Sequence, residues 1–285
     1  MFEVTTGAIS TLEEVLDLLS RTFVQRALIV GVLLAVCTSL LGVTLVLKRY
    51  SMIGDGLSHV GFGALAIALA FGWAPLQVSI PMVMVAAFFM LRLSESSKIK
   101  GDAAIALVSS SSLAIGIIVI RLATGTNQDV CNFMFGNIYN IEKSDVYLNL
   151  IIAPVVMVLY VLFYNKIFIT TFDESFAKAS GVKTGIINTL IAMLTALAIV
   201  AGIRAAGAML ISSFIIFPAL TAMRVCHSFK SVVIFAAVTS VVCSVLGILA
   251  TLIFNAPASA SMVVINLIVF LSVSLIGILR KGRTA

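Results

Sequence analysis

Asp55 and His59 are the residues from which chemistry can be argued first. They stand at the polar opening, Gly54-Asp55-Gly56-Leu57-Ser58-His59, of an apolar run that continues to about Phe71. On a helix, a spacing of four puts both side chains on one face, one turn apart. A carboxylate and an imidazole so placed can share a divalent cation or a proton. The chain holds only two histidines, and this one lies where the surrounding sequence is apolar enough for a bilayer. An Asp inside a bilayer costs roughly 2.5–3.5 kcal/mol on insertion scales, so such residues usually face a cavity with a job to do. The alternative is that Asp55 caps the helix at a polar boundary and His59 hydrogen-bonds to a neighbouring span.

A helix continuous from Arg49 would put His59 ten residues on, about 15 Å and near the midplane, with Asp55 a turn closer to the cytoplasm. Gly54 and Gly56 either let a neighbouring helix approach closely or break the helix at that point. The donor set suits Zn²⁺, and also Mn²⁺ or Fe²⁺. Two ligands leave the shell incomplete, as a site that must release its ion requires.

Two further stretches stand out. Thr170 to Thr184 is polar and predicts a short helix over 172–180, with Asp173 and Glu174 at its start, Lys178 near its end, and Gly181 as its stop. Phe172 and Phe176 make its apolar face, which suits an interfacial connector or a docking surface. Gly207-Ala208-Met209-Leu210-Ile211-Ser212-Ser213, followed by Phe217-Pro218-Ala219, predicts close helix packing and a kink at Pro218. His227, between Arg224 and Lys230, reads as a loop histidine. Asp129 and Glu142 read as solvated acids.

The elements that must position these residues follow from composition. Of 285 residues, 61% are hydrophobic and 11% charged, with a mean hydropathy of +1.19. That predicts an all-α, polytopic transmembrane bundle, and the net charge of +6 is that of cytoplasmic loops, not a nucleic-acid footprint. Cys37, Cys131, Cys226 and Cys243 show no CxxC spacing and imply no disulfide framework. Residues 1–24 read as an interfacial segment, and 25–285 as one transmembrane domain containing a cytoplasmic loop at 170–184. Eight or nine spans fit, at about 26–47, 53–71, 76–93, 103–122, 146–169, 185–203, 205–223, 231–254 and 259–279. Residues 123–143 are too mixed to cross and suggest a re-entrant piece. With the N-terminus outside, only Arg21, Arg26, Arg121, Lys143 and Arg204 of the 18 Lys and Arg lie outside. The C-terminus is therefore expected in the cytoplasm.

No GxxxxGK[ST] loop is present, so the chain does not itself run on ATP. No HExxH is present, and one intramembrane histidine is too few for a catalytic zinc site. A proton-coupled secondary transporter, with Asp55 and His59 as its relay, is the rival from another class, although no inverted repeat favours it.

Leu47-Lys48-Arg49 followed by Ser51-Met52-Ile53-Gly54-Asp55-Gly56-Leu57-Ser58-His59 resembles the signature of membrane permeases of zinc and manganese ATP-binding-cassette importers. Phe133-Met134-Phe135-Gly136, the Asp173–Gly181 stretch, and Met209-Leu210-Ile211 with Pro218-Ala219 are similar to that family in the same order. The resemblance covers about residues 20–280. It implies that Asp55 and His59 contribute to a metal pathway, and that Asp173, Glu174, Ala177 and Gly181 belong to a helix docking on a separate ATPase subunit. It implies a non-enzymatic transport subunit without a permanent cofactor, working as a homodimer in a bacterial plasma or inner membrane. An extracytoplasmic metal-binding protein would deliver the ion. The overall look leans to zinc, with manganese and iron as the alternatives.

Overall fold

Apolar runs of this length have few solutions in lipid, because every backbone polar group must be satisfied within the protein. The computed structural model describes residues 20–95, 101–124, 136, 141–254 and 256–281, and every described element is a helix. They are α1 (Thr22–Leu47), α2 (Ile53–Ala70), α3 (Pro75–Glu95), α4 (Gly101–Thr124), α5 (Lys143–Leu162), α6 (Tyr164–Phe172), α7 (Glu174–Ala179), α8 (Thr184–Ala206), α9 (Ala208–Val225), α10 (Phe229–Phe254) and α11 (Ala258–Lys281). Among the described residues, nine helices are long and apolar enough to cross a membrane; only α6 and α7 are not. The shortest of the nine, α2 and α9, have 18 residues each, about 27 Å of rise against roughly 30 Å of hydrocarbon.

The three helices α1, α2 and α8 form the centre. Their most apolar windows are 67%, 72% and 72% buried, against 11% for α11 at the rim. Leu41, Leu57, Ile191, Ile199 and Ile203 are fully enclosed there. Around that centre, α9 and α10 pack on α1, while α3 and α4 pack on α2. Small residues allow backbones to meet: a Cβ on Gly42 would lie 2.2 Å from the Ile215 carbonyl oxygen, and one on Gly63 would lie 2.9 Å from that of Ser112. Without a water-driven hydrophobic force between membrane helices, such contacts carry much of the association.

Buried polar side chains are satisfied largely by backbone. Asn149 donates to the carbonyls of Asp145 and Ala201, both at 2.9 Å, and so ties α5 to α8. Thr44 and Tyr160 share a hydrogen bond of 3.1 Å between α1 and α5. Cys37, Cys226 and Cys243 are free thiols, and Cys131 lies outside the described residues.

The helix carrying Asp55 starts at Ile53 as expected, and it is not continuous from Arg49, because residues 48–52 form a turn in which Arg49 adopts a left-handed φ of 63°. Two boundaries differ from those expected. The fifth span ends at Leu162, and 164–172 forms the separate helix α6. The break between the sixth and seventh spans falls at Gly207, with φ 78°, and not at Arg204. The N-terminal segment before Ser20 and almost all of the mixed 125–140 stretch lie outside the described residues.

One end of the bundle is marked by α6 and α7. There Tyr164, Phe168 and Phe172 pack on Phe229 of α10, with ring centroids 5.5, 5.3 and 5.8 Å away. The C-terminus of α1 and the N-terminus of α8 meet at the same end, where the Lys48 ammonium donates to Asn188 Oδ1.

The Gly42 contact generates a prediction. Gly42→Leu must drive α9 off α1 and cost about 1–3 kcal/mol by overpacking. The equivalent change at Gly277, which has no neighbour within 4 Å of a Cβ, should be tolerated. Thermal unfolding of the two variants in detergent should show a lowered midpoint for Gly42→Leu alone.

Candidate metal site

The first turns of α2 are unbroken through both glycines. Close approach is therefore the role the two glycines play. A Cβ on Gly54 would lie 2.5 Å from Ile215 Cδ1 of α9, and one on Gly56 would lie 2.7 Å from Ile105 Cγ2 of α4. Asp55 stands between these two contacts. His59 follows one turn later, about 4 Å from the helix midpoint and about 9 Å past its start.

His59 Nε2 lies 3.6 Å from Asp55 Oδ2. That is too long for a hydrogen bond, but close to the ~3.4 Å between two ligands of a tetrahedral ion with bonds of about 2.1 Å. The second carboxylate oxygen, Oδ1, accepts a hydrogen bond from Ser212 Oγ of α9 at 3.3 Å. The Ser212 hydroxyl is also 3.3 Å from the Ala208 carbonyl, so its single hydrogen is shared between the two acceptors. One oxygen is thus anchored to α9 while the other is turned to the imidazole, the kind of outer support that orients a metal ligand.

The Asp55 side chain is 41% exposed and that of His59 is 17% exposed, so the pair is open on one side. No group of three or more His, Cys, Asp or Glu side chains that could hold a metal occurs among the described residues. Among the described residues of one chain, the site therefore offers two side chains of these types. Ser58 does not join the open pair, because it is fully buried with its hydroxyl donating to the Gly54 carbonyl at 2.9 Å. His227 is exposed in the α9–α10 turn, and Glu142 caps α5 in a reciprocal arrangement with Asp145. Asp129 lies outside the described residues. Pro218 is buried within α9, where its ring removes one backbone hydrogen bond.

The second cluster sits on α7. Asp173 lies before the helix, not within it, and its carboxylate accepts the Phe176 N–H at 2.9 Å as an N-cap. Glu174 pairs with Lys178 at 3.0 Å and accepts from the Thr184 hydroxyl at 3.2 Å. Partial burial pushes its carboxyl up, but Lys178, Lys48 and Thr184 together outweigh this and hold it below its usual 4.5. Ala177 is fully buried beneath the helix. Gly181, at φ 81°, closes it with Gly181 N–H donating to the Lys178 carbonyl and Val182 N–H to that of Ala177. A Cβ on Gly181 would meet nothing within 4 Å, so the demand for glycine is conformational. Phe172 and Phe176 point outward, 60% and 59% exposed.

Ser212 is the residue that sequence reasoning missed. It was grouped with its neighbours as packing, and its one distinguishing signal was a hydroxyl in an apolar span just after a glycine break.

With this geometry in view, the chain can be set beside known proteins. It is 29% identical over 253 residues to the manganese transport system membrane protein MntC of Listeria monocytogenes, covering 89% of this chain and 90% of that one. It is 29% identical over 235 residues to the high-affinity zinc uptake system membrane protein ZnuB of Buchnera aphidicola, covering 82% and 89%. Several further relatives carry manganese-transport names, and another is named for iron transport. Among solved structures, PsaBC from Streptococcus pneumoniae in complex with Fab superposes with a TM-score of 0.83 at 30% identity, over 92% of this chain and 95% of that one. The model of the ABC 3 transport family matches residues 20–277. The chain belongs to the ABC 3 transport family.

Proposed function

We propose that this chain is the membrane-spanning permease subunit of an ATP-driven importer for a divalent transition metal, with manganese as the first cargo and zinc as the second. The observation that carries the reading is the Asp55–His59 pair, held inside a membrane-spanning helix by Ser212 and open on one side. The lean toward zinc in the sequence gives way to manganese because most of the named relatives are manganese systems. The pair itself accepts either ion, since it combines a hard carboxylate oxygen, which suits manganese, with an imidazole nitrogen, which suits zinc.

In this reading the N-terminus faces outward, and the end carrying α6 and α7 is cytoplasmic, in keeping with the distribution of Lys and Arg. An extracytoplasmic metal-binding protein releases the ion into the bundle. Asp55 Oδ2 and His59 Nε2 take it as a transient pair of ligands, and the rest of the shell comes from water, backbone or the second copy of a homodimer. A site with two ligands per chain binds weakly enough to let the ion go. On the cytoplasmic side, the end of α6 and α7 present Phe172 and Phe176 to a separate ATPase subunit, while Asp173, Ala177 and Gly181 fix the shape of α7.

Joint substitution of Asp55 and His59 by Ala should reduce uptake of radiolabelled manganese by at least about 100-fold while the ATPase subunit still co-purifies. Ser212→Ala, which removes only the outer support, should weaken uptake by about tenfold. Side-by-side uptake of radiolabelled manganese and zinc in a deletion background should favour manganese at equal concentration. Asp173→Lys removes the cap, worth about 1 kcal/mol, and should release the ATPase in pull-down, whereas Asp173→Asn should retain it. Gly181→Val forces a left-handed β-branched residue, costing roughly 1–2 kcal/mol, and should weaken the same association.

A further inference from the structure

Lys48 and Arg49 end α1 and open the turn into α2, and the metal pair alone gives them no task. Lys48 is held across the bundle, where its ammonium donates to Oδ1 of Asn188, a 4%-exposed residue in the second turn of α8. One turn earlier, Thr184 donates to Glu174 Oε1 of α7 at 3.2 Å, and the Lys48 charge acts on that same carboxylate. Lys48 therefore touches α8 directly and α7 through its field.

On its other side, Lys48 leads straight into α2. Arg49 follows with φ 63°, a left-handed conformation that costs a non-glycine residue roughly 1–2 kcal/mol. Such a conformation persists only where the surroundings hold it, and it is typical of places that switch. The Tyr50 N–H closes the turn on the Leu45 carbonyl at 2.8 Å, and the Ile53 N–H donates to the Tyr50 carbonyl at 3.0 Å. Ile53 is the first residue of α2, and Asp55 is the third. A rigid, strained turn thus joins the Lys48 contact to the carboxylate that faces His59 and Ser212.

We propose that Lys48 is a positioning residue that transmits the state of the docking helix α7, through Glu174, Thr184 and Asn188, to the start of α2 and so to the Asp55–His59 pair. The inference rests on the reading of α7 as the ATPase-docking helix. A shift of α7 moves Glu174 relative to Lys48 and alters the grip on Asn188. The turn passes that movement to Asp55, changing its register with Ser212. Opening and closing of the metal pair would then follow the ATPase.

The test uses the full chain assembled with its ATPase subunit in proteoliposomes, with manganese uptake and ATP hydrolysis measured in the same vesicles. Lys48→Met keeps the length and apolar stem of the side chain but removes its charge. It should leave ATPase co-purification intact and hydrolysis within about twofold, while manganese moved per ATP falls about tenfold. Lys48→Arg, which keeps charge and donors, should recover at least half of the coupling. Asn188→Leu should mimic Lys48→Met, and the double variant should be no worse than either single change. Unchanged manganese per ATP in Lys48→Met overturns the proposal. Loss of ATPase binding in Lys48→Met overturns it too, because the role would then be structural. If the unaltered chain itself fails to retain the ATPase, or Asp173→Lys retains it fully, the docking reading falls instead, and the proposal falls with it.

Discussion

An Asp at the centre of a membrane-spanning helix costs roughly 2.5–3.5 kcal/mol; Asp55, the third residue of α2, bears a smaller share of that cost, and among the described residues its carboxylate is held by a serine hydroxyl and faces an imidazole. Gly54 admits Ile215, and Gly42 admits the backbone of the same residue from the opposite side, so α9 is wedged between α1 and α2. That wedge sets the height of Ser212 on α9, and Ser212 in turn fixes one carboxylate oxygen. The remaining oxygen faces the imidazole 3.6 Å away. A lysine or arginine in that place would form an ion pair with Asp55; a serine and a histidine satisfy it partly and leave the pair open on one side.

A similar economy governs the end of the bundle that carries α6 and α7. A six-residue helix is marginal in isolation, and α7 is held by what surrounds it: the Asp173 cap, the buried Ala177, the Glu174–Thr184 bond and the glycine turn at 181. Its one aromatic side chain, the exposed Phe176, then stands beside Phe172, which the ring cluster of α6 on Phe229 holds in place. The α7 helix and the helix that bears the Asp55–His59 pair meet the same α1–α8 junction, so the two are mechanically close although their residues are far apart in sequence.

Much of this was legible in the chain alone. Hydropathy gave the helical class and the crossing segments because lipid leaves the backbone so little choice. The i,i+4 spacing of Asp55 and His59 needed only helical geometry to become a pair. The cationic stop at 48–50 was legible, but the breaks at 163 and 207 were harder, since apolar sequence runs across or beside each one, and the stop at Gly207 depends on a backbone angle that composition does not report. Ser212 was hidden for a different reason. Its partner is 157 residues away in sequence, and the register that joins them is set by glycine contacts between three helices. The identity of the ion was not legible at all, because a carboxylate and an imidazole serve manganese, zinc and iron alike.

The central claim is that the transported ion passes through a bond to His59 and Asp55, and this is tested most directly by pulsed electron paramagnetic resonance of the transporter loaded with Mn²⁺. The account predicts nuclear modulation from one imidazole nitrogen per chain on the bound manganese, lost in His59→Ala and accompanied by weakened binding in Asp55→Ala. Manganese bound within the transporter with no nitrogen coupling, or with a coupling that survives His59→Ala, would contradict it.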